Sequence, residues 1–153
     1  MLVAPAQGPS VMPPRRWETY ASSLDAVEVD DGVGRIVVAC SRPGVQVATV
    51  WGHLTPALSR AITTHASAQL KTTPYLVAFH NWREMTGYES SCRGQLTQWA
   101  MRHKHDTKLH LVFGSPLVAM GVTVANLALG NVLNVHLTLD SILAAMAAEL
   151  RAH

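Results

Sequence analysis

Residues 76–99 read LVAFHNWREMTGYESSCRGQLTQW. The segment starts in an unbroken apolar run, Tyr75 to Phe79, the pattern of a strand covered on both faces. It ends in a helical stripe, with Cys92, Leu96, Trp99, Ala100 and His103 spaced to share one face. Between them lie HNWREMTGY, read as a polar, aromatic-bearing loop, and the tripeptide Glu89-Ser90-Ser91. The spacing predicts a strand, a loop and then a helix over about 89–103. Two serines therefore stand where the first N–H groups of that helix have no internal partner. Serine there serves as a cap, a phosphoryl acceptor or a nucleophile.

Working outward, the same alternation recurs. KLHLVFG (108–114) reads as the next strand. SPLVAMGVTVANLALG (115–130) reads as a helix capped by Ser115, with Pro116 at its first position and Gly130 at its end. NVLNVHLTL (131–139) reads as a last strand, and Asp140 as the cap of a helix over 141–151. On the other side, Thr55 and Pro56 open a helix to Leu70. Before it, GRIVVAC and VQVATVW flank the turn SRPG and form a hairpin, preceded by a half-buried strand, AVEVD. The order β-β-β-α-β-α-β-α-β-α predicts an α/β fold. Its central sheet is mixed, with antiparallel pairing in the hairpin and parallel pairing after it, and about four helices cover it.

Composition narrows the function class. The chain has 153 residues, a formal charge of +2 and 14% charged residues, too weak a basic bias for a nucleic-acid surface. Hydrophobic residues make up 48%, which suits a dense core or some apolar surface kept for a partner. Cys40 and Cys92 have no metal-type spacing and are read as buried free thiols, which favours a reducing, cytoplasmic setting. Residues 1–16, rich in Pro, Gly and small residues, read as a disordered leader ahead of a single domain over 17–153. No apolar stretch has the roughly 18 residues of a membrane span.

The 76–99 segment resembles the SpoIIAA-like pattern of the STAS family, which includes the anti-sigma factor antagonists. Phe79, Asn81, Trp82, Gly87, Tyr88 and Glu89 carry the likeness. The 115–130 segment resembles the third helix of compact bacterial STAS-like or Sec14-like members. Glu89-Ser90-Ser91-Cys92 departs from the antagonists' Asp-Ser-Ser/Thr-Gly. The resemblance implies a SpoIIAA-like STAS fold and a non-catalytic regulatory or protein-interaction module. Its partner would be a kinase or anti-sigma-type regulator.

On that expectation, Ser90 and Ser91 are the phosphorylation candidates, with Arg93 one turn into the helix beside them. Trp82, Arg83, Glu84, Tyr88, Glu89 and Arg93 form the expected partner-binding rim, since aromatics and Arg dominate protein interfaces. Leu117, Met120, Val124 and Leu127 mark an apolar groove or an interface, homodimeric or lipid-binding. The alternative functions are a carrier or sensor of a lipid or other apolar ligand, and a small hydrolase pairing Ser90 with His80. Against the last, the chain has no Gly-x-Ser-x-Gly elbow, phosphate-binding loop or dinucleotide fingerprint. No cofactor is expected. His103, His105, Asp106 and His110 read as surface groups near a helix end rather than a metal site. The remaining histidines, among them His65, His80 and His136, read as scattered through unrelated elements.

Overall fold

A computed structural model describes residues 16–23 and 25–152. The expected leader, apart from Arg16, lies outside the described residues. The elements are α1 (Trp17–Ala21), β1 (Val27–Asp30), β2 (Gly34–Arg42), β3 (Val45–Leu54), α2 (Pro56–Leu70), β4 (Leu76–Tyr88), α3 (Ser90–Arg102), β5 (Thr107–Phe113), α4 (Pro116–Ala128), β6 (Leu133–His136) and α5 (Leu139–Ala152).

The six strands form one sheet in chain order, β1 to β6. The β1–β2 and β2–β3 pairs are antiparallel; β3–β4, β4–β5 and β5–β6 are parallel. Three successive crossovers of one hand, each to the next strand, set α2, α3 and α4 on the same face. Side chains alternate across the sheet, so each face has its own core. Ala48, Val50, Met85 and Leu111 pack with Leu58 and Ile62 of α2, Cys92 of α3, and Val118 and Val122 of α4. On the other face Val47, Val77, Phe79 and Val112 pack with Trp17 and Tyr20 of α1 and with Ile142, Leu143 and Met146 of α5. Each such aliphatic side chain, taken fully from water, contributes about 1.5–3 kcal/mol.

Four expectations change. The polar segment 80–88 is not a loop: β4 runs thirteen residues, through Tyr88. It stays extended because β3 pairs with it to the end, Leu54 opposite Tyr88, with register shifts near Trp51 and His53 that absorb the irregular residues. Gly52, at φ +74°, occupies a left-handed conformation at the second shift, where a side chain would be strained. The described residues hold five helices rather than about four. The addition is α1, five residues long and too short for periodicity to reveal; it is pinned by Trp17 Nε1–H donating to Thr49 Oγ1 at 2.9 Å. The last strand is only Leu133–His136. Finally, Asp140 lies inside the first turn of α5 rather than before it.

Capping follows the sequence at α2. Thr55 Oγ1 accepts from the Leu58 amide at 3.4 Å and gives its own proton to Asp31 Oδ2 at 2.5 Å. Ser115 occupies the cap position of α4 but its side chain makes no capping bond.

Candidate functional site

The start of α3 is built by the end of β4. The Glu89 amide donates to Leu54 O at 3.0 Å, closing the strand pair, and the chain then turns into the helix. Glu89 occupies the cap position with extended backbone and no capping side-chain bond. Ser90 and Ser91 are the first two helical residues, and both are exposed. The next residue turns inward: Cys92 is fully buried, with Sγ donating to Leu54 O at 3.4 Å. Burial, reinforced by the Glu89 charge, pushes its thiol pKa up. Cys92 therefore packs into the core beneath the helix start, with its thiol held protonated.

The expected rim divides into two layers. Arg83, Glu84, Glu89 and Arg93 are exposed. Trp82 and Tyr88 are half-buried and pack against the three-helix core. Tyr88 lies so close to α4 that a Cβ on Gly121 would sit 2.2 Å from its hydroxyl oxygen. Trp82 meets His80 edge-on, with ring centroids 5.7 Å apart. These aromatics support the exposed charges from beneath.

Leu117, Met120, Val124 and Leu127 form an exposed stripe on the outer side of α4, at 54%, 68%, 50% and 67% exposure. A partly open hollow lies on the helix's other side. A cavity of about 100 Å³ sits between the sheet and α2, α3 and α4, with Val118, Gly121, Val122, Ala125 and Leu129 as the α4 wall. A helix apolar on every face offers no periodic signal for which side meets the sheet.

The histidines are not scattered in space. Gln46, buried to 1%, joins two of them. Its Nε2 donates to Ile62 O at 3.3 Å and to His65 Nδ1 at 3.0 Å, so its Oε1 accepts from His80 Nε2 at 3.1 Å. Burial pushes His80 down to about 4 and lowers His65 as well, so both rings are neutral at pH 7. On the opposite face His110 Nδ1 lies 2.9 Å from His136 Nε2, and His136 Nδ1 lies 2.7 Å from Ser141 Oγ. His110, expected at the surface, is instead buried at 6% exposure because it stacks on Phe79, with centroids 4.8 Å apart. Neither group is visible in the sequence, because each joins side chains from three elements. The buried Gln46 in an otherwise apolar strand is the one local signal.

No hydrogen bond joins Ser90 to His80, whose Nε2 is taken by Gln46. His105 and Asp106 are exposed, and His103 packs on Trp99 with centroids 4.5 Å apart. Among the described residues no group of three or more His, Cys, Asp or Glu side chains is placed to hold a metal ion. Nor is any described helix long and apolar enough to cross a membrane.

No protein-family model and no curated protein matches the sequence. Solved structures do match the fold. A DUF3478-family protein of Shewanella loihica with a SpoIIAA-like fold aligns at TM-score 0.55 and 16% identity, over 76% of this chain and 97% of that one. The anti-sigma factor antagonist SpoIIAA, in its unphosphorylated form, aligns at 0.55 and 17% identity, over 72% and 95%. An anti-sigma factor antagonist from Mycobacterium paratuberculosis aligns at 0.55 and 18% identity, over 73% and 92%. The chain therefore has the SpoIIAA-like STAS fold expected from its central segment.

Proposed function

We propose that this chain is a regulatory, protein-binding module of the STAS type, and that phosphorylation of Ser90 or Ser91 sets its binding state. One observation carries the reading: two exposed serine hydroxyls occupy the first turn of α3, ahead of which no side chain caps the helix. A phosphate there meets unpaired amide donors and the positive end of the helix dipole. It also adds about 1.5–2 negative charges to a face that already mixes Glu84 and Glu89 with Arg83 and Arg93. Arg93 attracts it and Glu89 repels it, so the modification re-sorts charge on the docking surface.

Fold likeness supports the class of partner. Two structural neighbours are anti-sigma factor antagonists, and one of them was solved in a form described as unphosphorylated. A kinase or anti-sigma-type protein is the partner we propose, with Arg83, Glu84, Glu89 and Arg93 in direct contact. Trp82 and Tyr88 stiffen the surface under them.

The test is quantitative affinity capture from the native host. Three baits are compared: wild type, a Ser90→Ala/Ser91→Ala double variant, and a Ser90→Glu/Ser91→Glu double variant. One partner should be retained by the alanine bait and reduced at least tenfold on the glutamate bait. Equal recovery of every captured protein on all three would contradict it.

A further inference from the structure

We infer that Ser141 is an acyl-accepting nucleophile, with His136 as its general base and His110 as the residue that positions His136. The substrate class is a small, uncharged ester with an activated leaving group. The three residues stand on the sheet face covered by α1 and α5, opposite α3 and its two serines.

Three elements bring them together. His110 lies on β5, His136 ends β6, and Ser141 lies in the first turn of α5. In the parallel β5–β6 register His110 stands opposite Asn134, and His136 opposite Val112. The two histidines are therefore diagonal neighbours on one face of the sheet. Ser141 Oγ lies 2.7 Å from His136 Nδ1, and His136 Nε2 lies 2.9 Å from His110 Nδ1. A hydroxyl within hydrogen-bond reach of an imidazole, itself oriented by a third group, is the arrangement that activates a nucleophilic serine. His110 is fixed in turn by stacking on Phe79 and on His136, with centroids 4.8 and 5.2 Å away. Ser141 is exposed, so a substrate reaches its hydroxyl from solvent.

Burial lowers the pKa of His136, and that of His110 is held at about 4 by burial first and then by the charges of His136 and Lys108. Both rings are neutral at pH 7, so one nitrogen of the facing pair donates and the other accepts. In the reactive tautomer His136 donates from Nε2 to His110 Nδ1, which leaves His136 Nδ1 to accept from Ser141. His110 Nε2 has no partner in either tautomer and does not choose between them. Ser141 Oγ attacks the ester carbonyl carbon while its proton passes to His136 Nδ1. The bond from that carbon to the leaving oxygen then breaks, and the leaving oxygen takes the proton back from His136. The products are acyl-Ser141 and an alcohol. The Ser141 amide is taken by Thr138 Oγ1 at 3.1 Å. The Leu139 and Asp140 amides, at the positive end of α5, have no partner within the helix and favour the negative charge developing on the carbonyl oxygen. Asp140, exposed in the same turn, disfavours an anionic acyl donor.

The full chain is incubated with p-nitrophenyl acetate from pH 5 to 9, and acetyl groups are located by mass spectrometry of the digested chain. Wild type should gain an acetyl group on Ser141 ahead of every other residue, and Ser141→Ala should lose it. His136→Phe should slow the reaction about a hundredfold, the low end for general-base catalysis. The wild-type rate should rise with pH and level off above about 6.5, where His136 has lost its proton; His136→Phe should remove that step. His110→Phe should slow acetylation about tenfold, the worth of one hydrogen bond. His110→Asn, whose side-chain oxygen stands in for Nδ1 as acceptor, should restore most of the rate. Ser141→Ala, at an exposed position, keeps the test decisive if a histidine variant fails to fold. Three results would overturn the inference: no acetyl group on Ser141, equal rates in His136→Phe and wild type, or a rate still climbing at pH 9. His110→Asn no faster than His110→Phe would overturn the positioning role of His110.

Discussion

Gly121 shows how one missing side chain positions the site. A methyl group there would stand 2.2 Å from Tyr88 Oη and 2.7 Å from Cζ, inside both atoms. Gly121→Ala should lower the free energy of unfolding in urea by about 1–3 kcal/mol, the range for overpacking a close contact. Adding Tyr88→Phe should recover only part of that, because Cζ still clashes. Full stability in Gly121→Ala would mean that Tyr88 does not lie against α4. Thr55 joins two elements through one hydroxyl, capping α2 and donating to Asp31, which also accepts from the amides of Val33 and Gly34. Thr55→Val should cost about 1–2 kcal/mol through the lost cap. The Thr55 bond and then those amides hold the Asp31 pKa below its ordinary value.

At the scale of elements, α4 divides side chains that meet the core from side chains that meet solvent. Its inner face is buried at Val118, Gly121 and Val122; its outer face exposes Leu117, Met120, Val124 and Leu127. Leu127→Lys should therefore change stability by less than about 0.5 kcal/mol, whereas Val118→Ala should cost about 1–3 kcal/mol through transfer and cavity terms. Chemical denaturation of the two variants separates them; the reverse ranking would mean that α4 is rotated. The boundaries of α2, α3 and α4 were legible because Thr55, Pro56, Pro116 and the Ser90–Ser91 pair are local signals acting within one turn. The rotation of α4 was not, since apolar residues on every side leave the moment without direction. Nor was the extension of β4 through Arg83–Tyr88 legible. Pairing with β3 overrides the polar, Gly-containing sequence, and pairing is a tertiary fact.

For the molecule as a whole, pH is the variable that reads the histidine groups. His80 and His110 are both held at about 4, His80 by burial and His110 by burial first and then by the charges of His136 and Lys108. In the unfolded chain these rings titrate near 6.5. Between pH 6.5 and 4 the unfolded state binds protons that the folded state refuses, so stability falls with pH across that window and is fully present above it. The urea midpoint should be flat from pH 8 to 7 and decline from about 6.5 downward. His80→Phe and His110→Phe should each flatten the decline. Below about 3.8 the Asp25 and Asp31 carboxylates, held low by hydrogen bonds from Ser23 and Thr55 respectively, add a second loss.

The overall topology was readable because strand and helix patterns alternate along the chain, but the histidine pairs were not. His65 meets His80 through Gln46, across separations of 19 and 34 residues. The switch proposed at the hydroxyls of the α3 tip is tested by phosphosite mapping with intact-mass analysis of the chain purified from its native host under several growth conditions. A species heavier by one phosphoryl group is expected, with the group on Ser90 or Ser91. A chain unmodified under every condition, or phosphorylated only elsewhere, would contradict it.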